Sequence, residues 1–168
     1  MTAGRFIHIH PASRWLFKCW TVDGMASLIE HLQAEGWPVL LTGAPGADEQ
    51  ALVTAIQRQL RHPAHSLAGC LSLKELAALT QAARLFIGVD SAPMHIAAAV
   101  GTPVVALFGP SGDKQWGPWS AAARVVSSRR HPCRPCGIDG CGGGKISDCL
   151  TSLSVDEVLA AVHALLAE

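Results

Sequence analysis

Residues Leu85 to Pro110 read LFIGVDSAPMHIAAAVGTPVVALFGP. Leu85–Val89 is a short apolar run of the kind that forms a strand buried on both faces. Asp90 and Ser91 close it with two small polar residues, either of which suits a helix N-cap. Pro93 then falls in the first helical turn, where its missing N–H costs nothing. The helix continues through His95 to Val100, and Gly101-Thr102-Pro103 stops it. Val104–Phe108 is a second apolar strand. Two strands joined through one helix make a parallel βαβ unit. The helix N-terminus then lies at the carboxyl ends of the strands, where open α/β sheets bind ligands and where backbone N–H groups attract phosphate. Capping accounts for Ser91 and Pro93. It does not account for Asp90 and His95 beside them, which favours a ligand site.

The same alternation extends in both directions. Arg5–His10 (RFIHIH) reads as the first strand, with His8 and His10 as strand histidines without a catalytic role. Trp15–Trp20 is a loop holding aromatic residues around a lone Lys18. Thr21 caps a helix over 22–35 with Met25, Leu28, Ile29 and Leu32 on one face. Val39–Thr42 is the second strand, Gly43–Gly46 a turn, and Asp48 opens a helix to about Leu60. At most a short third strand lies within 62–69. Ser72-Leu73-Lys74-Glu75 and Ser154-Val155-Asp156-Glu157 are capping boxes that open helices to about Ala83 and Leu166. Ala123–Ser127 is the last strand, and 128–150 is an irregular, cysteine-rich loop. The expected class is α/β: a doubly wound, Rossmann-like parallel sheet in one domain over 1–168. A dinucleotide-binding dehydrogenase would place G-x-G-x-x-G after the first strand. The turn here is HPASRW, without glycine.

The chain has 168 residues, 13 basic and 13 acidic, for a net charge of +0. That balance gives no basic footprint for nucleic acid. Charged residues are 15% of the total, and mean hydropathy is +0.28. So few charges suggest a face that packs against another domain. No apolar run is long enough to span a membrane, and Gly4-Arg5 leads directly into the first strand without a signal peptide. The six cysteines are therefore read in a reducing cytoplasm, as thiols or metal ligands. Cys133, Cys136, Cys141 and Cys149 share one glycine-rich loop and could hold a structural zinc. Their spacing is not the paired C-x2-C form, and free thiols or a disulfide formed after purification remain open. Cys19 and Cys70 read as small buried apolar residues.

Four segments together resemble one family. HPASRWLFKCW is similar to H-P-x6-K-x-W. LLTGAPGADEQ forms the second strand and turn. AGCLSLKELAAL is similar to A-G-x3-L-x-E-L. VDSAPMHIAAAVGTPVVALFGP, followed by Trp116-Gly117-Pro118-Trp119, is similar to D-[ST]-G-x2-H-x-A-x-A-x-G-x-P. The chain resembles the C-terminal, donor-binding half of the ADP-heptose:lipopolysaccharide heptosyltransferases, inverting enzymes of the two-domain GT-B fold. One position departs: Ala92 stands where most of the family has glycine.

The resemblance implies a donor site. Lys18 would contact the diphosphate, and Asp90, Ser91, Ala92 and His95 would form the anion-binding turn. Asp90 would bond backbone or a sugar hydroxyl, because a carboxylate facing phosphate repels it; a simple turn-stabilising role is equally open. Asp48 or Glu49 would take the ribose hydroxyls, and adenine would lie near Ala68 and Leu71. The catalytic base and the lipopolysaccharide core acceptor would belong to an N-terminal half outside this chain, so no catalytic residue is assigned here. No cofactor is expected for catalysis. The expected location is the cytoplasm, peripheral to the inner face of the inner membrane. Two other functions stay open: the donor half of a GT-B enzyme using UDP- or GDP-sugars, and a nucleotide-binding module without catalysis.

Overall fold

The computed structural model describes residues 2–168. Six parallel strands form one sheet: β1 (Ile7–His10), β2 (Val39–Leu41), β3 (His65–Ser66), β4 (Leu85–Val89), β5 (Val104–Phe108) and β6 (Ala123–Ser127). Their spatial order is β3-β2-β1-β4-β5-β6. The chain leaves β1 toward one side and later returns to β4 on the other, so the order reverses between β1 and β4. That is the switch point at which doubly wound sheets open a crevice.

The seven α-helices among the described residues are α1 (Val22–Ala34), α2 (Ala47–Gln59), α3 (Leu73–Gln81), α4 (Ala92–Ala99), α5 (Asp113–Trp116), α6 (Asp148–Thr151) and α7 (Val155–Leu166). Alternation within each strand sorts the core into two layers. Ile7, Ile9, Leu41, Leu85, Ile87, Val89, Val105 and Leu107 point to one face. They pack with Met25, Leu28, Ile29 and Leu32 of α1, Val53 and Ile56 of α2, and Val158, Val162 and Leu165 of α7. The expected apolar face of α1 is the one buried. Thr21 caps this helix by accepting from the Gly24 N–H at 3.0 Å. Both capping boxes form, Ser72 with Glu75 and Ser154 with Glu157.

The opposite face is divided. Phe86, Val104, Ala106 and Phe108 pack with Met94 and Ala97 of α4. Phe6 and Leu40 pack separately, against Ala83 and the α3 residue Leu79. Between these clusters lie four buried polar residues: His8, Thr42, Thr80 and Thr102. They survive burial because they satisfy one another. His8 also sets its ring edge-on to Phe86, with centroids 5.0 Å apart. Gly88 makes room here, since a Cβ on it would come within 2.6 Å of the Phe86 ring.

The irregular segment after β6 is docked rather than loose. Arg134 Nε donates to the Gly109 carbonyl at 2.6 Å. The Ser147 hydroxyl, buried, donates to the Phe17 carbonyl at 2.6 Å. A Cβ on Gly109 would fall 2.5 Å from Leu150 Cδ1, so α6 sits directly over the end of β5. Two expectations change. The loop 109–119 contains the short helix α5. Cys70 is exposed, not buried; it occupies the turn between β3 and α3, outside both core layers, where Gly69 adopts φ +75°. Cys19 is half-buried.

Burial makes His8 a pH-dependent element of stability. Desolvation, with the neighbouring His10 second, pushes its pKa from 6.5 down to about 3. The unfolded chain therefore binds a proton that the folded chain refuses, and stability falls as pH drops from about 6.5 toward 3. Thermal unfolding should show a decreasing Tm from pH 7 to pH 4.5. The slope should become shallower in His8→Gln; an unchanged slope would remove His8 from this role.

Candidate functional site

A cleft of about 690 Å³ opens at the carboxyl ends of β1, β2 and β4. Three loops build it. The first follows β1 and carries Lys18 in a short 3-10 turn over Leu16–Lys18. Phe17 and Trp20 anchor this loop in the interior, while Trp15 and Leu16 are exposed. Trp20 Nε1 donates to the Leu153 carbonyl at 3.2 Å, and Ser147 holds the Phe17 carbonyl. The residue before Lys18 is thus tied to the segment ahead of α6, and the charge is aimed rather than free to wander.

The second loop joins β4 to α4. Lys18 Nζ donates to Asp90 Oδ2 at 2.7 Å, with side chains 24% and 10% exposed. This pair links the two loops on either side of the switch point. Among the described residues, the hydrogen-bond partner of the Asp90 carboxylate is Lys18 and not backbone. Ser91 stands at the N-cap of α4, but its side chain does not cap. Its hydroxyl donates instead to the Val89 carbonyl at 3.2 Å. Pro93 has no N–H to offer, so the opening turn of α4 faces the cleft with no side-chain acceptor on it. Ala92 and His95 both line the cleft. The Met94 N–H bonds the Ser91 carbonyl at 3.1 Å, so the Ala92 N–H and the positive end of the α4 dipole are what lie beside the Lys18 ammonium, an arrangement suited to an anion.

The third loop leads from β2 into α2. Asp48 and Glu49 both occupy the first turn of α2, and the structure separates them. Glu49 lines the cleft; Asp48 is exposed and faces a groove between α1 and α2. Glu49 Oε2 accepts from the Ala44 N–H at 2.8 Å. His10 Nε2 stands 3.6 Å from the same oxygen. His10, as a protonated ring donating from Nε2, holds the Glu49 carboxyl below its usual range, with the Ala44 N–H acting the same way and burial opposing. Leu71, Leu73 and Leu76 supply an apolar wall. Ala68 does not line the cleft; its Cβ lies 3.6 Å from the position a Cβ on Gly43 would take.

His10 is the residue the sequence reading passes over. It was expected to be an ordinary strand histidine, and it is buried, but it also lines the cleft. Its place at the head of the H-P-x6-K-x-W match, as the last residue of β1 before the Pro11 break, was the available signal.

The four loop cysteines differ in exposure. Cys133, Cys136 and Cys141 are exposed and Cys149 is buried. Among the described residues, no three His, Cys, Asp or Glu side chains gather into a group able to hold a metal ion. Burial raises the Cys149 pKa, Arg134 opposes this, and the other three thiols add to it.

No helix of the described chain is long and apolar enough to cross a membrane. Lipopolysaccharide heptosyltransferase 3 of Escherichia coli K12 is 47% identical over 116 residues, which are 68% of this chain and 34% of that protein. The solved E. coli ADP-heptose lipopolysaccharide heptosyltransferase II superposes with a TM-score of 0.82 at 29% identity, covering 96% of this chain and 46% of that one. E. coli WaaC, solved with ADP, has the same fold at 18% identity and a TM-score of 0.79, over 98% of this chain and 45% of that one. The chain thus spans about a third of the length of the curated relatives it matches. The model of glycosyltransferase family 9 (heptosyltransferase) matches residues 2–146, and with this fold and cleft the chain belongs to that family.

Proposed function

We propose that this chain is the donor-binding half of an inverting glycosyltransferase that moves heptose from ADP-heptose to the inner core of lipopolysaccharide. The observation that carries the reading is the Lys18–Asp90 pair set beside the uncapped N-terminus of α4. Transfer leaves a diphosphate whose charge grows as the sugar–oxygen bond breaks. A preplaced ammonium and backbone N–H groups stabilise that growing charge most when the site is dry and rigid. Asp90 keeps Lys18 oriented without meeting phosphate itself. Ser91, Ala92 and His95 complete the anion-binding turn. Glu49 is the ribose ligand in preference to Asp48: Ala44 anchors one carboxylate oxygen, and the other has no protein partner among the described residues. Adenine fits the apolar wall at Leu71.

The base that deprotonates the acceptor hydroxyl, and the acceptor surface, are assigned to an N-terminal half. The rim of this domain supports such a docking face. Trp15 and Leu73 are exposed at the cleft, Trp116 is exposed beyond Lys18, and Trp119 is 97% exposed. The reaction would take place in the cytoplasm, at the inner face of the inner membrane.

Calorimetric titration should show ADP binding in preference to UDP and GDP. Lys18→Ala should weaken ADP by about 10- to 100-fold, the ~1.5–3 kcal/mol of a charge-assisted hydrogen bond. Preference for UDP or GDP would instead assign another nucleotide-sugar donor. Binding of no nucleotide would contradict the reading for this domain.

The two acidic neighbours separate in the same assay. Glu49→Gln should lose about fivefold in ADP affinity, roughly 1 kcal/mol, together with discrimination against 2′-deoxy-ADP. Asp48→Asn should bind within about twofold of the parent protein, as expected for a surface change off the cleft. The reverse pattern would transfer the ribose role to Asp48.

A further inference from the structure

The buried polar residues between the two small core clusters form a directed chain. The Thr80 hydroxyl donates to the Leu76 carbonyl at 2.6 Å. Two oxygens approach this closely only with the hydrogen between them. The Thr80 oxygen then accepts, and its partner at 3.1 Å is His8 Nδ1–H. His8 is buried and neutral, so its Nε2 carries a lone pair and takes the Thr42 hydroxyl hydrogen at 2.7 Å. Thr42, having donated, accepts from His10 Nδ1–H at 2.8 Å. Each assignment forces the next. The chain ends with His10 presenting Nε2 toward Glu49.

That end is unbalanced in one protonation state. A neutral His10 in this tautomer sets a lone pair 3.6 Å from the Glu49 carboxylate. A proton on Nε2 converts the contact into an ion pair. The titratable and charged groups around His10 come from every wall of the cleft: Glu49 on α2, His8 on its own strand, Arg14 and Lys18 on the loop after β1, Asp90 across the mouth, and His95 on α4. Lys18 is already paired with Asp90, which leaves Glu49 as the carboxylate that responds to His10.

We infer that His10 is a positioning residue for Glu49, locked in one tautomer by the Thr80–His8–Thr42 chain, and that it takes up a proton on Nε2 when a nucleoside diphosphate enters the cleft. The incoming phosphates add negative charge, which favours imidazolium over imidazole. The imidazolium in turn holds Glu49 Oε2 and leaves Oε1 turned to the ribose. This inference rests on the reading of the cleft as an ADP site. It makes affinity highest while His10 is protonated. ADP binding then weakens as pH rises through the His10 titration, by at most about tenfold per pH unit for one proton.

The test is ADP titration at pH 6 to 8 in two buffers of different ionisation enthalpy. It is run on the parent chain, on His10→Gln and on His95→Asn. The terminal phosphate of ADP titrates in the same range and contributes equally to all three proteins, so the readout is the difference: the parent chain and His95→Asn should take up more protons on binding than His10→Gln, and lose more affinity with rising pH. Imidazole nitrogen NMR of the parent chain gives a readout independent of the variant's folding. His10 should show Nδ1–H without ligand and both nitrogens protonated with ADP. ADP binding with equal proton uptake in the parent chain and His10→Gln, or an Nε2–H tautomer in the free chain, overturns the inference and leaves the ADP reading standing. Uptake that stays at the parent level in His10→Gln and falls in His95→Asn overturns it in favour of His95. Absence of ADP heat at every pH overturns both.

Discussion

The ion pair between Lys18 and Asp90 joins the loop after β1 to the loop after β4. These loops leave adjacent strands at the one place where strand order reverses, so no sheet hydrogen bond or helix spans the gap between them. An ammonium there without a carboxylate would be a mobile, hydrated charge. A carboxylate without the ammonium would confront any anion bound at α4. Together they give a fixed positive charge beside the open end of a helix. The rest of the cleft is arranged around that constraint: Ser91 turns its hydroxyl back to Val89 and leaves the helix end clear, and Glu49 is held far enough along β2 to meet the sugar end of a nucleotide rather than its phosphates.

Support for the pair comes from distant parts of the chain. Phe17 and Trp20 pin the Lys18 loop through Ser147 and Leu153, residues 130 and 133 positions away. The irregular segment after β6 is itself held by Arg134 on Gly109 and by Leu150 packed over the same glycine. It acts as a brace for the lysine loop. On the other side of the sheet, buried threonines and histidines replace apolar packing beneath the cleft. They cost desolvation, which shows in the depressed pKa of His8, and they deliver a histidine of defined tautomer to the floor of the site.

Most of the architecture was legible in the residues because its signals are local. Apolar runs of strand length, two capping boxes, and Gly-Thr-Pro after α4 each specify their own element, and five such strands in alternation with helices leave little choice of topology; β3, the exposed pair His65–Ser66, has no apolar run to announce it. Lys18, Asp90, Ser91 and His95 were legible through their motifs. Side-chain direction was not. Asp48 and Glu49 are adjacent in one helical turn, and only the approach angle of α2 sends one into the cleft and the other to a groove. The Lys18–Asp90 bond joins positions 72 apart, and no spacing rule relates them. His10 was missed because a buried strand histidine and a cleft histidine look alike until the end of β1 is placed. Cys70 looked like a core residue from its type alone, and the exposed turn it occupies decides otherwise.

The central claim is that one cleft at the switch point receives the nucleotide diphosphate. Chemical-shift mapping of the isotope-labelled chain with ADP tests it most directly. The account predicts that the largest perturbations fall on the backbone amides of Lys18, Ala44, Glu49, Ser91, Ala92 and His95, with the face built by α1 and α7 unaffected. Perturbations centred on the cysteine-rich loop or on the groove between α1 and α2, with those amides silent, would contradict it.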